Sequence, residues 1–290
     1  MKRNLKVGAA IITGVAAGGG AAAAAAGARW ARATSRSTER LAARARSSSP
    51  AARPRVFSRD QLAGLPAPVV RYFTFALTPG QPLPRTVHAR WTGEFRTRQN
   101  AAWNPFTAVQ DFTIDPPGFV WNASIRMAPL VSVRVRDEYV DGAGVMVGKI
   151  AALVPVVDQG GTPEMAAGAL SRYLGEAVWF PTALLPSEHV SWASVDDSMA
   201  RATLTDGAVT VHADFQFGRD GEIVSVSMTR YRDENGHGVP TRFEGRLGPE
   251  YRRVAGMMVP AAGEVAWLLP EGRFDYWRAR LPELTYDADR

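Results

Sequence analysis

From about residue 85 onward, the sequence is dominated by short segments in which apolar and polar side chains alternate. Between residues 131 and 140, for example, valines alternate with Ser132, Arg134 and Arg136. A period of two is typical of a β-strand with one face against a core and the other toward water. Turn residues separate the segments at short intervals, so successive strands should pair as hairpins. The pattern therefore predicts a large antiparallel sheet.

We expect a mainly β fold in a single domain over residues 57–290, a curved antiparallel sheet or half-barrel of about 11–13 strands. The segments expected to form strands are residues 86–97, 106–114, 118–127, 131–140, 145–150, 190–195, 200–205, 208–217, 222–232, 241–247, 251–254, 264–268 and 274–286. The sequence contains no repeat of fixed period, so a repeat architecture is not expected.

One helical insert interrupts the strands. Thr162 followed by Pro163 fits a helix N-cap with proline at the first helical position. Apolar residues then recur at helical spacing to about Val178, and a short proline-bounded turn follows. A second, earlier helix is expected over residues 69–77.

The net positive charge of the sequence comes from its N-terminal part. Residues 1–55 contain eleven Lys and Arg and a single acid, so their net charge is +10, whereas the net charge of the whole chain is +6. The remaining 235 residues are therefore mildly acidic, at −4. Binding to a nucleic-acid backbone needs a concentrated positive surface, so the body of the protein is not expected to bind nucleic acid.

The N-terminal segment allows several interpretations. Residues 7–27 form an uncharged Ala- and Gly-rich run that is long enough to cross a bilayer. They fit a weak membrane anchor, a signal peptide cleaved near residues 24–26, or an extension without function. Residues 29–55 fit either an Arg- and Ser-rich linker or a frayed basic helix. We expect the protein to associate with a membrane through this segment, with the extracytoplasmic side favoured but not settled.

Recognisable catalytic and metal-binding motifs are absent from the sequence. It contains no G-x-S-x-G, H-E-x-x-H, P-loop or dinucleotide-binding pattern, and no cysteine. The four histidines lie far apart without the spacing of metal ligands. We therefore expect neither a metal nor another cofactor.

Aromatic residues framed by a few polar ones are the most distinctive feature. They fit either core packing of a curved sheet or the lining of an apolar cavity. The candidate lining consists of Trp103, Trp121, Tyr139, Trp179 and Trp267. Arg172 and Glu176 are one helical turn apart and form either a surface ion pair or the polar end of that cavity.

Several of these runs carry a family resemblance. They are residues 103–108, 117–121, 137–146, 172–185 (Arg-Tyr-Leu-Gly-Glu-Ala-Val-Trp-Phe-Pro-Thr-Ala-Leu-Leu), 264–267 and 276–277. Together they resemble an uncharacterised bacterial family, a domain of unknown function, over residues 60–288. The fold is similar to lipoprotein-carrier half-barrels of the LolA and LppX kind. That similarity implies a concave sheet face covered by helices, with the helical insert of residues 163–185 over a cavity for acyl chains.

These observations favour a non-catalytic module that binds a lipophilic small molecule or acyl chain near a membrane. One alternative is an enzyme acting on a hydrophobic substrate, with Glu176 or Asp137 as general base and His189 or Tyr139 nearby. A second alternative is a membrane-tethered domain whose exposed aromatic side chains bind another protein.

Overall fold

A computed structural model describes residues 19–47, 56–129, 131–234 and 237–287 of the chain. It contains one 13-stranded sheet, in which every neighbouring pair of strands is antiparallel, and a separate two-stranded hairpin. The strands are β1 (Thr86–Phe95), β2 (Asn104–Thr113), β3 (Gly118–Ala128), β4 (Val131–Val140), β5 (Ala143–Ile150), β6 (Val154–Gly160), β7 (Val190–Ser194), β8 (Met199–Asp206), β9 (Val209–Phe217), β10 (Ile223–Glu234), β11 (His237–Leu247), β12 (Tyr251–Val254), β13 (Met257–Pro260), β14 (Ala262–Leu269) and β15 (Gly272–Asp287). The helices are α1 (Gly19–Ser47), α2 (Ala67–Ala76) and α3 (Pro163–Glu176). The predicted fold class, a half-barrel of antiparallel strands with a helical insert, is confirmed.

The sheet has two wings that meet at β15. The first wing runs from β1 to β6, and the second contains β14 and β11 down to β7. β15 is long enough to pair with β1 on one side and with β14 on the other. The hairpin β12–β13 lies outside this sheet and contacts α2.

Alternation along the strands gives the sheet an inner and an outer face. In the first wing, the buried aromatic side chains of Phe112 and Phe119 stand opposite each other across β2 and β3 on the inner face. The sheet curls until its two wings touch: the hydroxyl of Tyr139 in β4 donates a hydrogen bond of 2.8 Å to Asp206 in β8. We call this contact between the wings the seam.

α3 covers the inner face between the wings and contacts β5 on one side and β9 and β10 on the other. Thr162 caps it as predicted, since its side chain accepts a hydrogen bond from the backbone of Met165. The α-helix ends at Glu176, and two 3-10 turns, Ala177–Trp179 and Pro181–Leu184, continue the covering layer. Helical insert and sheet share one continuous apolar core.

β6 was not expected from the sequence. It lies at the edge of the sheet and contains Pro155. Proline lacks a backbone N–H and is tolerated mainly on edge strands. The sequence of this segment therefore does not predict a strand.

α1 shows that much of residues 29–55 is a helix, the second of the two structures expected there, and that this helix is packed on the body. Ala26, Trp30, Leu41 and Ala45 are buried at helical spacing. Leu41 joins Val120 and Val140 in a small cluster on the outer face of the sheet. Contacts with the sheet stabilise this helix, because most of the stability of a helix in a protein comes from packing of its apolar side.

The predicted anchor or signal segment, residues 7–27, lies mostly outside the described residues. Within the described part of the chain, no helix combines the length and apolarity needed to cross a membrane.

Candidate functional site

A buried ionic cluster lies where α3 crosses the inner face of the first wing. Arg172 donates hydrogen bonds to Asp137 at 2.6 Å and to Glu176 at 2.8 Å. Gln110 donates its amide N–H to the other oxygen of Glu176 at 2.6 Å. The side chains of Arg172 and Glu176 are each 15% exposed and that of Asp137 is 7% exposed, so Arg172 and Glu176 face inward and do not form a surface ion pair. We call these four residues the inner-face ionic cluster.

The strand register explains how the cluster assembles. Gln110 of β2, Trp121 of β3 and Asp137 of β4 stand in one row across the sheet, each directly opposite the next. The helix supplies Arg172 and Glu176 one turn apart on its inward side. Neither element contains a complete polar site, and the cluster exists only because α3 packs on this row.

Aromatic rings surround the guanidinium of Arg172. Its Cζ lies 5.1 Å from the centre of the Phe119 ring and 4.9 Å from that of Trp121. Two fully buried polar atoms next to the cluster, Nε1 of Trp121 and Oε1 of Gln110, have no hydrogen-bond partner among the described residues. An unpartnered buried donor and acceptor are costly, which makes them candidates for contact with a bound molecule.

A second arginine approaches the same region from β10. Arg230 donates a hydrogen bond of 3.1 Å to the carbonyl of Gly168 in α3. Its guanidinium lies 4.8 Å from the ring centre of Phe243 and 5.8 Å from that of Trp267. Its Nε is buried without a hydrogen-bond partner, and no carboxylate of the described residues forms an ion pair with it. Arg230 is thus a half-buried cation without a direct counterion.

Tyr276 links the two arginines. It lies within hydrogen-bonding reach of Arg230 and feels the charges of Arg172 and Asp137. Burial raises the pKa of the Tyr276 phenol, and the two arginines oppose that rise. The phenol is therefore neutral and able to donate a hydrogen bond over the physiological range.

Half-buried aromatic side chains extend from this point toward the end of the strands that carries the β3–β4 hairpin, which we call the hairpin end. Tyr276 and Trp267 stack with their ring centres 6.0 Å apart and their planes at 14°. Trp277 stacks on Phe106 at 5.9 Å, and Phe95 packs edge-on against Tyr276. Since all but Phe106 are only partly buried on the inner side of the sheet, apolar surface remains accessible there.

The predicted lining residues occupy three different environments. Trp121 lies beside the guanidinium of Arg172, and Trp267 lies beside that of Arg230. Trp179 and Tyr139 are packed in the interior, where Trp179 donates its N–H to the carbonyl of Pro260 and Tyr139 forms the seam. The structure does not bring all of these aromatic residues to one surface.

Trp103 lies apart from the others. It is in the loop before β2, and its ring is sandwiched between the guanidinium groups of Arg96 and Arg278, each 4.5 Å from the ring centre. Arg278 is exposed and paired with Glu94, so this arrangement is on the outside of the sheet.

The arrangement suggested for an enzyme is only partly assembled. Asp137 and Glu176 do meet, but both bind Arg172. His189 is directed elsewhere: its ring lies 3.1 Å from the carbonyl of Thr205 and 3.7 Å from Asp115. The cluster fixes charges in place and offers no base with a neighbouring proton relay among its described partners.

The described residues contain no group of three or more His, Asp or Glu side chains suited to holding a metal ion. An open cavity of about 410 Å³ lies between β9 and β10, where the two strands stop pairing after Asp214 and Ser227. Its lining includes Ala167 and Ser171 of α3, but none of the predicted lining residues.

Three residues with polar groups in the site were missed in the sequence: Gln110, Arg230 and Tyr276. A signal for Arg230 was present, since it follows Val226 and Met228 at alternate positions and must share their inward direction. Tyr276 gave no such signal, because a register shift between β14 and β15 determines which of its neighbours it meets.

Comparison with known proteins gives one positive result. The model of a family described as "Family of unknown function (DUF6544)" matches residues 55–279. No curated protein matches the chain.

Proposed function

The chain belongs to the DUF6544 family, whose function is unknown, and we propose from the site itself that the protein binds an amphiphilic molecule with an apolar tail and an anionic head group. The tail lies on the half-buried aromatic surface of the inner face. The head group lies between Arg230 and the inner-face ionic cluster. The role is binding without catalysis.

The observation that carries this proposal is the unequal pairing of the two inward arginines. Arg172 has two carboxylate partners, whereas Arg230 has none among the described residues. A half-buried cation without a counterion is unfavourable unless something compensates it. A carboxylate or phosphate would supply that charge through charge-assisted hydrogen bonds.

The neighbouring polar atoms support the same chemistry. The N–H of Trp121 is buried and unpartnered, and the hydroxyl of Tyr276 is neutral beside Arg230. Donors around one location are complementary to an oxygen-rich acceptor. Ligand sites commonly combine a mainly apolar lining with a few such polar groups.

The accessible aromatic surface supports the apolar part of the ligand. Phe95, Trp267, Tyr276 and Trp277 are each only partly buried although they lie on the inner side of the sheet. Covering such surface contributes roughly 25 cal/mol per Å². An alkyl chain or flat apolar ring system laid across these rings would therefore be stabilised.

A direct test begins with the full chain. Native mass spectrometry and solvent extraction of the purified protein should reveal a co-purified amphiphile. In parallel, the affinities of dodecanoate, dodecanol and dodecylammonium should be measured by calorimetry. We expect the carboxylate to bind more tightly than the alcohol and the ammonium to bind weakest.

The matched variants are R230M and R242M. Arg242 lies on the neighbouring strand β11 but is exposed. Loss of one charge-assisted interaction at Arg230 should weaken dodecanoate binding by about 10- to 100-fold, with little effect on dodecanol. R242M should bind both as the unaltered protein does. Equal affinity of R230M and the unaltered protein for dodecanoate would disprove the proposed head-group site.

A further inference from the structure

Two neighbouring hairpins at the hairpin end of the first wing expose apolar side chains. They are the β3–β4 and β5–β6 hairpins, held side by side by a 2.8 Å hydrogen bond from the backbone of Ala151 to that of Ser132. Five of the nine most exposed large apolar side chains of the described residues belong to them: Met127, Val131, Leu153, Val154 and Val156, between 36% and 50% exposed. Such a concentration of exposed apolar groups indicates a contact surface.

Cations on the outer face border these hairpin tips. Arg134 in β4 stands directly opposite Lys149 in β5, and Arg126 lies close to the end of β3. Like charges facing each other across a strand pair are destabilising. Among the described residues, no ion pair with a carboxylate relieves any of these three cations. An external anion would do so.

α1 adds a stripe of arginines on the same outer face. Arg29, Arg32 and Arg36 are exposed and follow helical spacing, opposite the buried side that carries Trp30 and Leu41. No ion pair to these three arginines is found among the described residues, whereas Arg40, further along, pairs with Glu138. We call these three residues the arginine stripe.

The direction of α1 places the stripe toward the hairpin tips. Leu41 lies over Gly118 at the start of β3, whereas Trp30 donates a hydrogen bond of 3.0 Å to Asn122 further along that strand. The helix therefore runs toward the hairpin end as it is followed back to its N-terminus. At 1.5 Å per residue, the residues before Trp30 continue to about the level of the tips. Residues 19–27, the described part of the uncharged run, therefore lie at that end of α1.

We propose that the outer side of the first wing at its hairpin end is a docking surface for an anionic lipid bilayer. The apolar hairpin tips enter the interfacial region, while the arginine stripe, Arg126, Arg134 and Lys149 contact lipid phosphates. Charge complementarity selects a membrane over a neutral partner, since six cations lie here without a carboxylate partner among the described residues. The apolar tips favour a bilayer over a nucleic acid, whose backbone offers no apolar layer for them.

This surface is distinct from the ligand site, so either proposal can fail without the other. The half-buried aromatic residues of the inner face also lie toward the hairpin end, since Phe106 stands opposite Ile125 near the end of β3. A molecule leaving the bilayer would therefore reach the inner face over a short path.

The absence of cysteine allows a site-specific test on the full chain. A single environment-sensitive fluorophore, nitrobenzoxadiazole, is attached to L153C at the tip. The control position is V195C in the second wing, where the side chain is similarly exposed. Vesicles of phosphatidylcholine with 20% phosphatidylglycerol should shift the emission of the label at position 153 to the blue, whereas the label at position 195 should not respond. No shift at position 153, or equal shifts at both positions, would overturn the proposal, including the case in which residues 7–27 alone hold the chain on the vesicle.

The contribution of the stripe is measured with R29Q/R32Q/R36Q in the L153C background. The control is R59Q/R219Q/R253Q, which removes the same charge from exposed positions outside this surface. At about 1 kcal/mol for each arginine near an anionic membrane, the stripe variant should require about a hundredfold more lipid for half-maximal shift. The control variant should require no more lipid than L153C in which all three arginines of the stripe are kept. Equal losses in both triple variants, or a label that responds to duplex DNA and not to vesicles, would contradict the assignment.

Discussion

Two adjacent residues of β4 pair with arginines on opposite faces of the same sheet. Asp137 points inward to Arg172 of α3, whereas Glu138 points outward to Arg136 and to Arg40 of α1. Both side chains are almost completely buried, at 7% and 4% exposure. Burial and ion pairing alone therefore do not distinguish a functional site from a structural contact.

What differs is the surroundings of each pair. The inner pair has a second carboxylate and two aromatic rings beside its guanidinium, whereas the outer pair has a second arginine and one ring, that of Trp30, near the guanidinium of Arg136. Both pairs adjoin buried polar atoms that have no hydrogen-bond partner among the described residues. The outer pair fastens α1 to the sheet beside the small Leu41 cluster. The inner pair adjoins the half-buried aromatic surface of the inner face, whereas the outer pair is covered by a helix.

The largest effect is expected from R172M. It leaves Asp137 and Glu176 buried close together without their shared cation. Removing one partner of a buried pair typically costs about 3–5 kcal/mol, so the free energy of unfolding should fall by roughly that amount. Urea denaturation followed by tryptophan fluorescence measures it. The triple variant D137N/R172M/E176Q removes the stranded charges and should recover much of the loss. If it is no more stable than R172M, the loss is due to packing and not to charge.

The second prediction compares D137N with E138Q. Each removes one buried charge and should lower the free energy of unfolding by about 1–3 kcal/mol. Only D137N changes the electrostatics of the inner face, because it leaves Arg172 with one carboxylate in place of two. D137N should therefore bind dodecanoate more tightly, while E138Q binds it as before. Identical ligand affinities for the two variants would remove the distinction between the faces.

The seam supplies a third, smaller effect with a pH signature. Burial, followed by the nearby charge of Asp206, raises the pKa of Tyr139. Above the usual tyrosine pKa of about 10, the unfolded chain loses a proton that the folded chain retains, so stability falls as pH rises past that value. Y139F should cost about 1 kcal/mol at pH 8 and should show a shallower decline between pH 10 and 11, by up to about 1.4 kcal/mol per pH unit. Urea unfolding at pH 8, 10 and 11 measures both quantities, and parallel declines would contradict the shift at Tyr139.

The smallest effect is expected at the exposed pair of Arg201 and Asp214. Their two hydrogen bonds are well formed, at 2.7 and 2.8 Å, but Arg201 is 53% exposed. Exposed pairs contribute only a few tenths of a kcal/mol on average. R201A should therefore barely change the unfolding midpoint in urea. A loss as large as that of E138Q would show that exposure is a poor guide to the strength of these pairs.

Much of the fold was predictable from local sequence. The alternation in β4 identifies a strand and its two faces without any structural knowledge, and the Thr162–Pro163 pair marks the start of α3. The curl of the sheet was expected from the number of strands and the similarity to half-barrel proteins, and not from local sequence. It depends on contacts such as Tyr139 with Asp206, which lie 67 residues apart and leave no local trace.

The site was predictable only in part. Arg172 and Glu176 were identified because their spacing of four places them on one side of a helix. Trp103 was grouped with the cavity residues because the sequence around a tryptophan does not show whether its ring is inside the protein or between two surface arginines. Alternation along β10 indicates only that Arg230 points inward. That it has no carboxylate partner among the described residues is visible only in the structure.

The strand order carries a consequence for synthesis on the ribosome. Among the described residues β15 is the strand latest in sequence, and it is the seventh of thirteen in the sheet, with six strands on either side. Until it emerges, β1 and β14 each expose an unpaired edge, and the nascent chain holds two separate half-sheets. Unpaired edges of this kind are prone to aggregation during folding. Closure of the sheet therefore waits for this sixteen-residue strand, and a stop codon shortly before it would release two incomplete wings with no shared centre.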